Sequence, residues 1–145
     1  MIVIKSPKTL KDFTAYYDLR YRILRQPLDQ PKGTEKDDYE PISYHIMAVD
    51  EETGEVVGVV KLFEKALGVG QLSHMAVAEN RQGQGIGRLL VDAVDSKARE
   101  LGFKKYGMTA RENVIDFYKK CGHHVVKISY VLHDQVQLLW MEKDL

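Results

Sequence analysis

Three glycines fall within five residues in the stretch Asn80-Arg81-Gln82-Gly83-Gln84-Gly85-Ile86-Gly87-Arg88, where one periodicity gives way to another. Before it, Gln71 to Val77 alternates as a strand does. After it, Ile86, Leu89, Leu90, Ala93, Val94 and Leu101 recur at helical spacing. A strand that becomes a helix through glycines can take unusual φ angles there and let a ligand come close to the backbone. The first turn of the helix adds unpaired N–H groups and a partial positive charge, which suit a phosphate or pyrophosphate. The turn is not a Rossmann fingerprint: counted from Gly83, the third glycine comes one place early, and no acidic ribose reader stands at a second strand end. Nor is it a P-loop, because no Gly-Lys-Ser/Thr follows. By itself, such a turn serves structure as readily as binding.

The rest of the chain supplies the context. Met1 to Lys5 reads as a short strand. Thr9 can cap a helix with apolar positions at Leu10, Phe13, Tyr17, Tyr21 and Leu24, closed by Pro27 and Pro31. Gln26 to Pro41 is a polar loop in which Asp29, Glu35, Asp37, Asp38 and Glu40 outnumber Lys32 and Lys36. Tyr44 to Val49 and Val56 to Phe63 form a hairpin around a polar turn at Asp50 to Glu55. A turn at Gly68 to Gly70 leads into the Gln71–Val77 strand, and Gly102 ends the helix after the glycine turn. Lys104 to Ala110 is the next strand. A helix follows from near Asn113 to Cys121, stopped by Gly122. Val125 to Leu132 and Val136 to Glu142 make a final hairpin joined by His133-Asp134-Gln135. The order β-α-β-β-β-α-β-α-β-β predicts an α/β fold with a mixed sheet covered by helices, not a doubly wound parallel one.

The chain has 145 residues, which suits a single domain over 1–145. Its 21 basic and 21 acidic side chains give no electrostatic argument for nucleic acid or an anionic membrane surface. No apolar run approaches the roughly 20 residues that span a bilayer. The first residues are too short and strand-like for a signal peptide, and the single Cys121 excludes an intrachain disulfide framework. A cytoplasmic location is the resulting expectation.

Strand, Gln-Gly-x-Gly-Ile-Gly and helix together resemble the acyl-CoA-binding motif of the GCN5-related N-acetyltransferase (GNAT) superfamily, Gln/Arg-x-x-Gly-x-Gly/Ala. Gln82, Gly85 and Gly87 match it. Asn113-x-x-x-Phe117-Tyr118-x-x-x-Gly122 resembles the family's second signature, and the element order agrees over nearly the whole chain. The resemblance implies a GNAT-like acyl-CoA N-acyltransferase fold, with a mostly antiparallel central sheet splayed between its fourth and fifth strands. It implies that the backbone of Met75, Ala76 and Val77 pairs with the pantetheine arm of acetyl-CoA. It further implies that Gln82, Gly83, Gln84, Gly85, Ile86, Gly87 and Arg88 hold the pyrophosphate and that Asn113 binds the cofactor. The physics agrees: the N–H groups from Gly83 to Arg88 can cradle a pyrophosphate, with charge added by Arg81 and Arg88, and a peptide-like arm can pair with an exposed strand edge.

Tyr118 stands where the family's tyrosine stands, which implies a general acid that protonates the departing thiolate. In isolation, Phe117-Tyr118 on an amphipathic helix reads as core, and Asn113 as a helix cap. For the base, His74 is the titratable side chain on the core of its strand, with a suitable unperturbed pKa of about 6.5. Alternation puts Gln71, Ser73 and Met75 on one face and His74 on the other. The family's active-site face corresponds to Met75, Ser73 and Gln71, so His74 serves only if a β-bulge reverses the parity; ordered water lined by Ser73 is the alternative. The carboxylates of Glu35, Asp37, Asp38 and Glu40 either attract a cationic amine or form a solvated loop. His45, His123, His124 and His133 lack zinc-like spacing, so no metal is expected. Cys121, near a helix C-terminus, reads as a small apolar packing residue.

The expected function is an acetyl-CoA-dependent N-acetyltransferase that moves the acetyl group to a small-molecule or peptide amine acceptor by direct attack in a ternary complex. A non-catalytic acyl-CoA-binding or sensing module on the same fold is the alternative, and a phosphate- or nucleotide-binding domain a third reading. Exposed strands of the C-terminal hairpin could pair two subunits into a homodimer.

Overall fold

The computed structural model describes residues 1–132 and 136–145, so the expected turn at His133 to Gln135 lies outside the described residues. Among the described residues, seven strands and three α-helices follow in the expected order: β1 (Ile2–Lys5), α1 (Leu10–Leu24), β2 (Tyr44–Asp50), β3 (Val56–Ala66), β4 (Val69–Val77), α2 (Ile86–Glu100), β5 (Lys105–Arg111), α3 (Ile115–Lys120), β6 (His124–Leu132) and β7 (Val136–Asp144). They build one sheet in the order β1-β2-β3-β4-β5-β7-β6. Every neighbouring pair is antiparallel except β4 and β5. α1 packs on one face of the sheet; α2 and α3 share the other core cluster. Among the described residues, no helix is long and apolar enough to cross a membrane.

The parallel pair positions the site. β4 and β5 meet only at Val69↔Lys105, Gly70↔Tyr106 and Gln71↔Gly107, whereas β3 stays paired with β4 as far as Val77. Beyond Gln71 the two parallel strands splay, and the β4 edge facing β5 keeps no strand partner. Close packing holds the start of the wedge shut. A Cβ on Gly107 would stand 2.5 Å from the Met141 carbonyl oxygen, and one on Gly70 would stand 2.7 Å from the Phe103 ring.

α1 begins as expected. Thr9 accepts from the Asp12 N–H at 3.0 Å, and the Asp12 carboxylate accepts from the Thr9 N–H in return. Its buried stripe is rotated from the expected one, however. Leu10 is 85% exposed, while Tyr16, Leu19 and Arg20 are buried. The reason is polar. The Tyr16 hydroxyl donates to the Val60 carbonyl at 3.1 Å, and Arg20 donates to that hydroxyl at 2.8 Å, so the inward face is set by hydrogen bonds as well as hydrophobicity.

α2 follows its predicted pattern in part: Ile86, Leu90 and Val94 are buried under the sheet as expected, Leu89 is 40% exposed, and Val91 and Ala98 complete the buried stripe, with Gly102 just past the helix end at φ +77°. The helix expected near Asn113 starts later, at Ile115, after a 3-10 turn over Glu112–Val114. The edge strand β6 leaves Val125, Val126 and Ile128 exposed.

Candidate active site

The splay opens a cleft of about 590 Å³ whose walls include Ser73, His74 and Met75 from β4, Thr109 and Arg111 from β5, and Asn113 and Tyr118 beyond it. α1 and the turn after it close the far side with Leu24, Arg25 and Leu28. Five of the expected site residues thus meet in one place, although Ser73 and Tyr118 stand 45 positions apart in the chain.

β4 carries the bulge that its parity required. Val59 pairs with Ala76 and Lys61 with Ser73, so between these pairs one residue of β3, Val60, opposes two of β4, His74 and Met75. His74 absorbs the extra residue with φ +53°, a left-handed value that is uncommon for a side chain other than glycine. Ser73 stays beside Lys61 on the α1 face. His74 joins it there, with Nδ1 hydrogen-bonded to the Ser73 Oγ and 4.0 Å from Asp37 Oδ2. Met75 moves to the opposite face, against the core under α2, which corrects the expectation that it shares a face with Ser73 and Gln71. Burial, reinforced by the Arg20 and Lys61 cations and only partly opposed by Asp37, pulls the His74 pKa down to about 4. The imidazole is neutral at physiological pH.

Tyr118 is 6% exposed and lines the cleft. Its hydroxyl makes no hydrogen bond among the described residues, and burial raises its pKa, so the phenol keeps its proton. His123 fixes the backbone beneath it. Both the His123 N–H and Nδ1 reach the Tyr118 carbonyl, at 3.0 and 3.2 Å, and the two rings meet edge to face at 5.6 Å. Asn113 is exposed on the 3-10 turn, and α3 has no side-chain cap, so capping is not its role.

At the glycine turn, Gly83 and Gly85 take φ +79° and +83°, and α2 starts directly behind them with Gly85 as its N-cap. A Cβ on either glycine would meet nothing within 4 Å, so the backbone lies open to a ligand. Gly87 differs, since a Cβ there would stand 3.3 Å from the Phe117 ring. The Gln82 side chain donates to the Val77 carbonyl at 3.1 Å, tying the turn to the end of β4. The two arginines expected to add charge have partners of their own. Arg81 bonds Asp50 at 2.6 Å, and Arg88 bonds Asp92 and the Lys120 carbonyl, each at 3.1 Å. What the turn offers an anion is therefore mainly backbone, including the N–H groups of Ile86, Gly87 and Arg88 at the head of α2.

The acidic loop departs furthest from expectation. Glu40 accepts from Arg20 at 2.8 Å and from Lys61 at 2.6 Å, and Asp37 also bonds Lys61. Glu35 is buried, with Oε1 on the Gly33 N–H at 2.7 Å. Arg20 and Lys61 are each 0% exposed. Hydrogen bonds from these two cations hold the Glu40 carboxyl far below the usual carboxylate range, against the opposing effect of its own burial. Asp37 and Glu40 thus neutralise internal cations, which fits neither of the two expectations, a solvated loop or carboxylates free to attract a cationic amine. Lys61 was the missed signal: one lysine inside the apolar run Val56 to Phe63 can be buried only against carboxylates. Cys121 is buried as expected, with its thiol pKa raised by that burial. No cluster of three metal-ligating side chains occurs among the described residues.

The acetyltransferase (GNAT) family model matches residues 11–123. The N-acetyltransferase YjcF of Bacillus subtilis, itself uncharacterized, is 27% identical over 143 residues, covering 99% of this chain and 98% of its own. Among solved structures, an acyl-CoA N-acyltransferase from Pseudomonas aeruginosa superposes with a TM-score of 0.82 at 21% identity, over 99% of this chain and 98% of that one. A Bacillus subtilis acetyltransferase in complex with CoA superposes at 0.76 and 20% identity, over 100% and 99%. With the splayed β4–β5 pair and the open glycine turn, the match over residues 11–123 establishes that this chain belongs to the acetyltransferase (GNAT) family.

Proposed function

We propose that the protein transfers an acetyl group from acetyl-CoA to an amine by direct attack within a ternary complex. The observation that carries this reading is the Tyr118 hydroxyl, protonated, unpaired among the described residues, and facing the same cleft as the unpartnered β4 edge. The open turn at Gly83 and Gly85 fits a pyrophosphate, and the β4 edge from Met75 to Val77 offers backbone groups to a pantetheine arm. An N–H on that edge can stabilise charge developing on the thioester oxygen. Relatives solved with coenzyme A bound support the same cosubstrate.

In the transfer, a C–N bond forms to the acceptor nitrogen and the C–S bond breaks. Tyr118 supplies the proton that the departing sulfur takes up. The nitrogen loses a proton, and the neutral His74–Ser73 pair stands in the cleft to receive it. With a pKa near 4, His74 is a weak base. The acceptor nitrogen therefore attacks as a free amine, and His74 takes its proton only as the new bond makes that proton acidic.

Release of free thiol from acetyl-CoA with a panel of amines tests the reading. Tyr118→Phe is expected to lower kcat about tenfold or more while leaving the KM for acetyl-CoA nearly unchanged. Unchanged turnover in that variant removes Tyr118 from the role. Acetyl-CoA binding without thiol release in the presence of any amine makes the protein an acyl-CoA-binding module instead.

A further inference from the structure

Among the described residues, the wall of the cleft carries guanidinium groups and no carboxylate. Arg25 and Arg111 are the charged residues in its wall, and the rest of that wall is largely apolar, with Ile23, Leu24, Leu28 and Val114 among it. Arg25 is preorganised. Its Nε donates to the Thr34 carbonyl at 3.0 Å and its Nη1 to the Leu24 carbonyl at 3.1 Å, which leaves Nη2 for a ligand. Arg111 ends β5. It lies four residues beyond Gly107, the last residue of β5 paired with β4, and so stands where the two strands have splayed, in the wall of the cleft. The loop carboxylates Asp37 and Glu40 are held by Lys61 and Arg20.

We infer that the acceptor is a small amine carrying a carboxylate on an apolar body, such as an apolar α-amino acid, and that Arg25 and Arg111 receive the carboxylate. This rests on the acetyl-transfer reading above. The charge balance at the cleft favours such a substrate and disfavours its opposite. A polyamine or a lysine side chain would bring a cation beside two arginines with no free anion in the wall to offset it, whereas a carboxylate gains charge-assisted hydrogen bonds from a fork already in place. Burial does most to depress the His74 pKa, and the Arg20, Lys61 and, least, Arg25 cations add to it. The field of those cations also favours the neutral form of the acceptor's amine, the form that attacks.

Matched pairs that differ only in the carboxylate decide the matter: phenylalanine against phenethylamine, leucine against isoamylamine, with spermidine as the cationic extreme. Thiol release from acetyl-CoA is followed for each, and binding to the protein saturated with CoA is measured by calorimetry. Each amino acid is expected to exceed its decarboxylated partner in kcat/KM by tenfold or more, in line with the strength of a charge-assisted hydrogen bond. Arg25→Gln and, separately, Arg111→Gln are expected to raise the KM for the amino acid about tenfold while the KM for acetyl-CoA holds. Turnover of spermidine or the decarboxylated amines in preference to the amino acids overturns the inference and leaves acetyl transfer standing. So does a rise in the acetyl-CoA KM of the variants with no change for the amino acid. Carboxylate-dependent binding to the CoA complex without turnover supports the inference and overturns the transfer reading. Absence of both binding and turnover with every amino acid overturns the inference.

Discussion

The glycine turn and the Gln26–Pro41 loop flank the same strand and are built in opposite ways. The turn is empty around its backbone: at Gly83 and Gly85 nothing stands within 4 Å of a would-be side chain. The loop is full. Arg20, Lys61, Asp37 and Glu40 knot it to α1 and β3 through buried ion pairs, and Tyr17 adds a hydrogen bond to Glu40 at 3.1 Å. Where a ligand must lie against main-chain N–H groups, packing is withheld. Where a cleft wall must stand still beside a reacting group, charges are buried and matched. The turn's stability is therefore local, whereas the loop's is tertiary, and the two should fail differently under mutation.

The largest effect is expected in the loop. Glu40→Ala leaves the fully buried Arg20 and Lys61 short of their main anion. Breaking a buried pair by removing one partner costs about 3–5 kcal/mol, far more than the pair contributes relative to an apolar replacement. Urea unfolding of the variant should register a loss of that order. A loss under about 1 kcal/mol, the range of a surface ion pair, would mean that the network does not hold the loop.

The turn should show a smaller cost in stability and a larger one in binding. At φ +83°, Gly85→Ala strains the backbone by roughly 1–2 kcal/mol, with no clash in the free protein. Because the new methyl points into the space open to a ligand, the KM for acetyl-CoA should rise with kcat little altered. Gly87→Ala offers a control within the same turn. Its φ is not left-handed and its nearest neighbour is the Phe117 ring at 3.3 Å, so it should perturb α2–α3 packing before it perturbs the cosubstrate. Equal effects of the two substitutions on KM would erase the distinction between an empty cradle and a packed one.

The same contrast explains what the sequence made legible. The turn could be read because its information is local: glycine spacing, a strand before it and a helical period after it. Element order could be read for the same reason, and it held from β1 to β7. The buried network was legible only in part: Lys61 inside the apolar run Val56 to Phe63 was a signal, but its partners and Arg20 resemble surface residues until α1, β3 and the loop are brought together. The bulge at His74 lies between these cases. Its need was visible from the parity of Ser73 and His74, but its presence depends on how β4 registers against β3. Arg25 and Arg111 come from the end of α1 and the end of β5, 86 positions apart, and only the closed fold places them on one cleft.

The smallest effect, a pH dependence, tests whether burial in the cleft wall, reinforced by the cations that pin the loop, depresses the pKa of His74. Its folded pKa, about 4, lies below the ordinary histidine value of 6.5. Between those values the unfolded chain binds a proton at this residue and the folded chain does not, so stability declines as the pH falls from about 6.5 towards 4. His45 and His123 are also shifted down, mainly by burial, and add to the same slope. Glu40 acts in a lower window: its contribution is present above the ordinary glutamate value of 4.5 and is lost as the pH falls through its depressed folded value. His74→Gln should therefore flatten part of the decline between pH 6.5 and 4.5 in thermal unfolding, leaving the steeper loss below it. An unchanged slope would mean that His74 takes up its proton as readily in the folded protein as in the unfolded chain. The cations that pin the loop would then not reach the cleft, and the loop would be a support for the wall without a part in its chemistry.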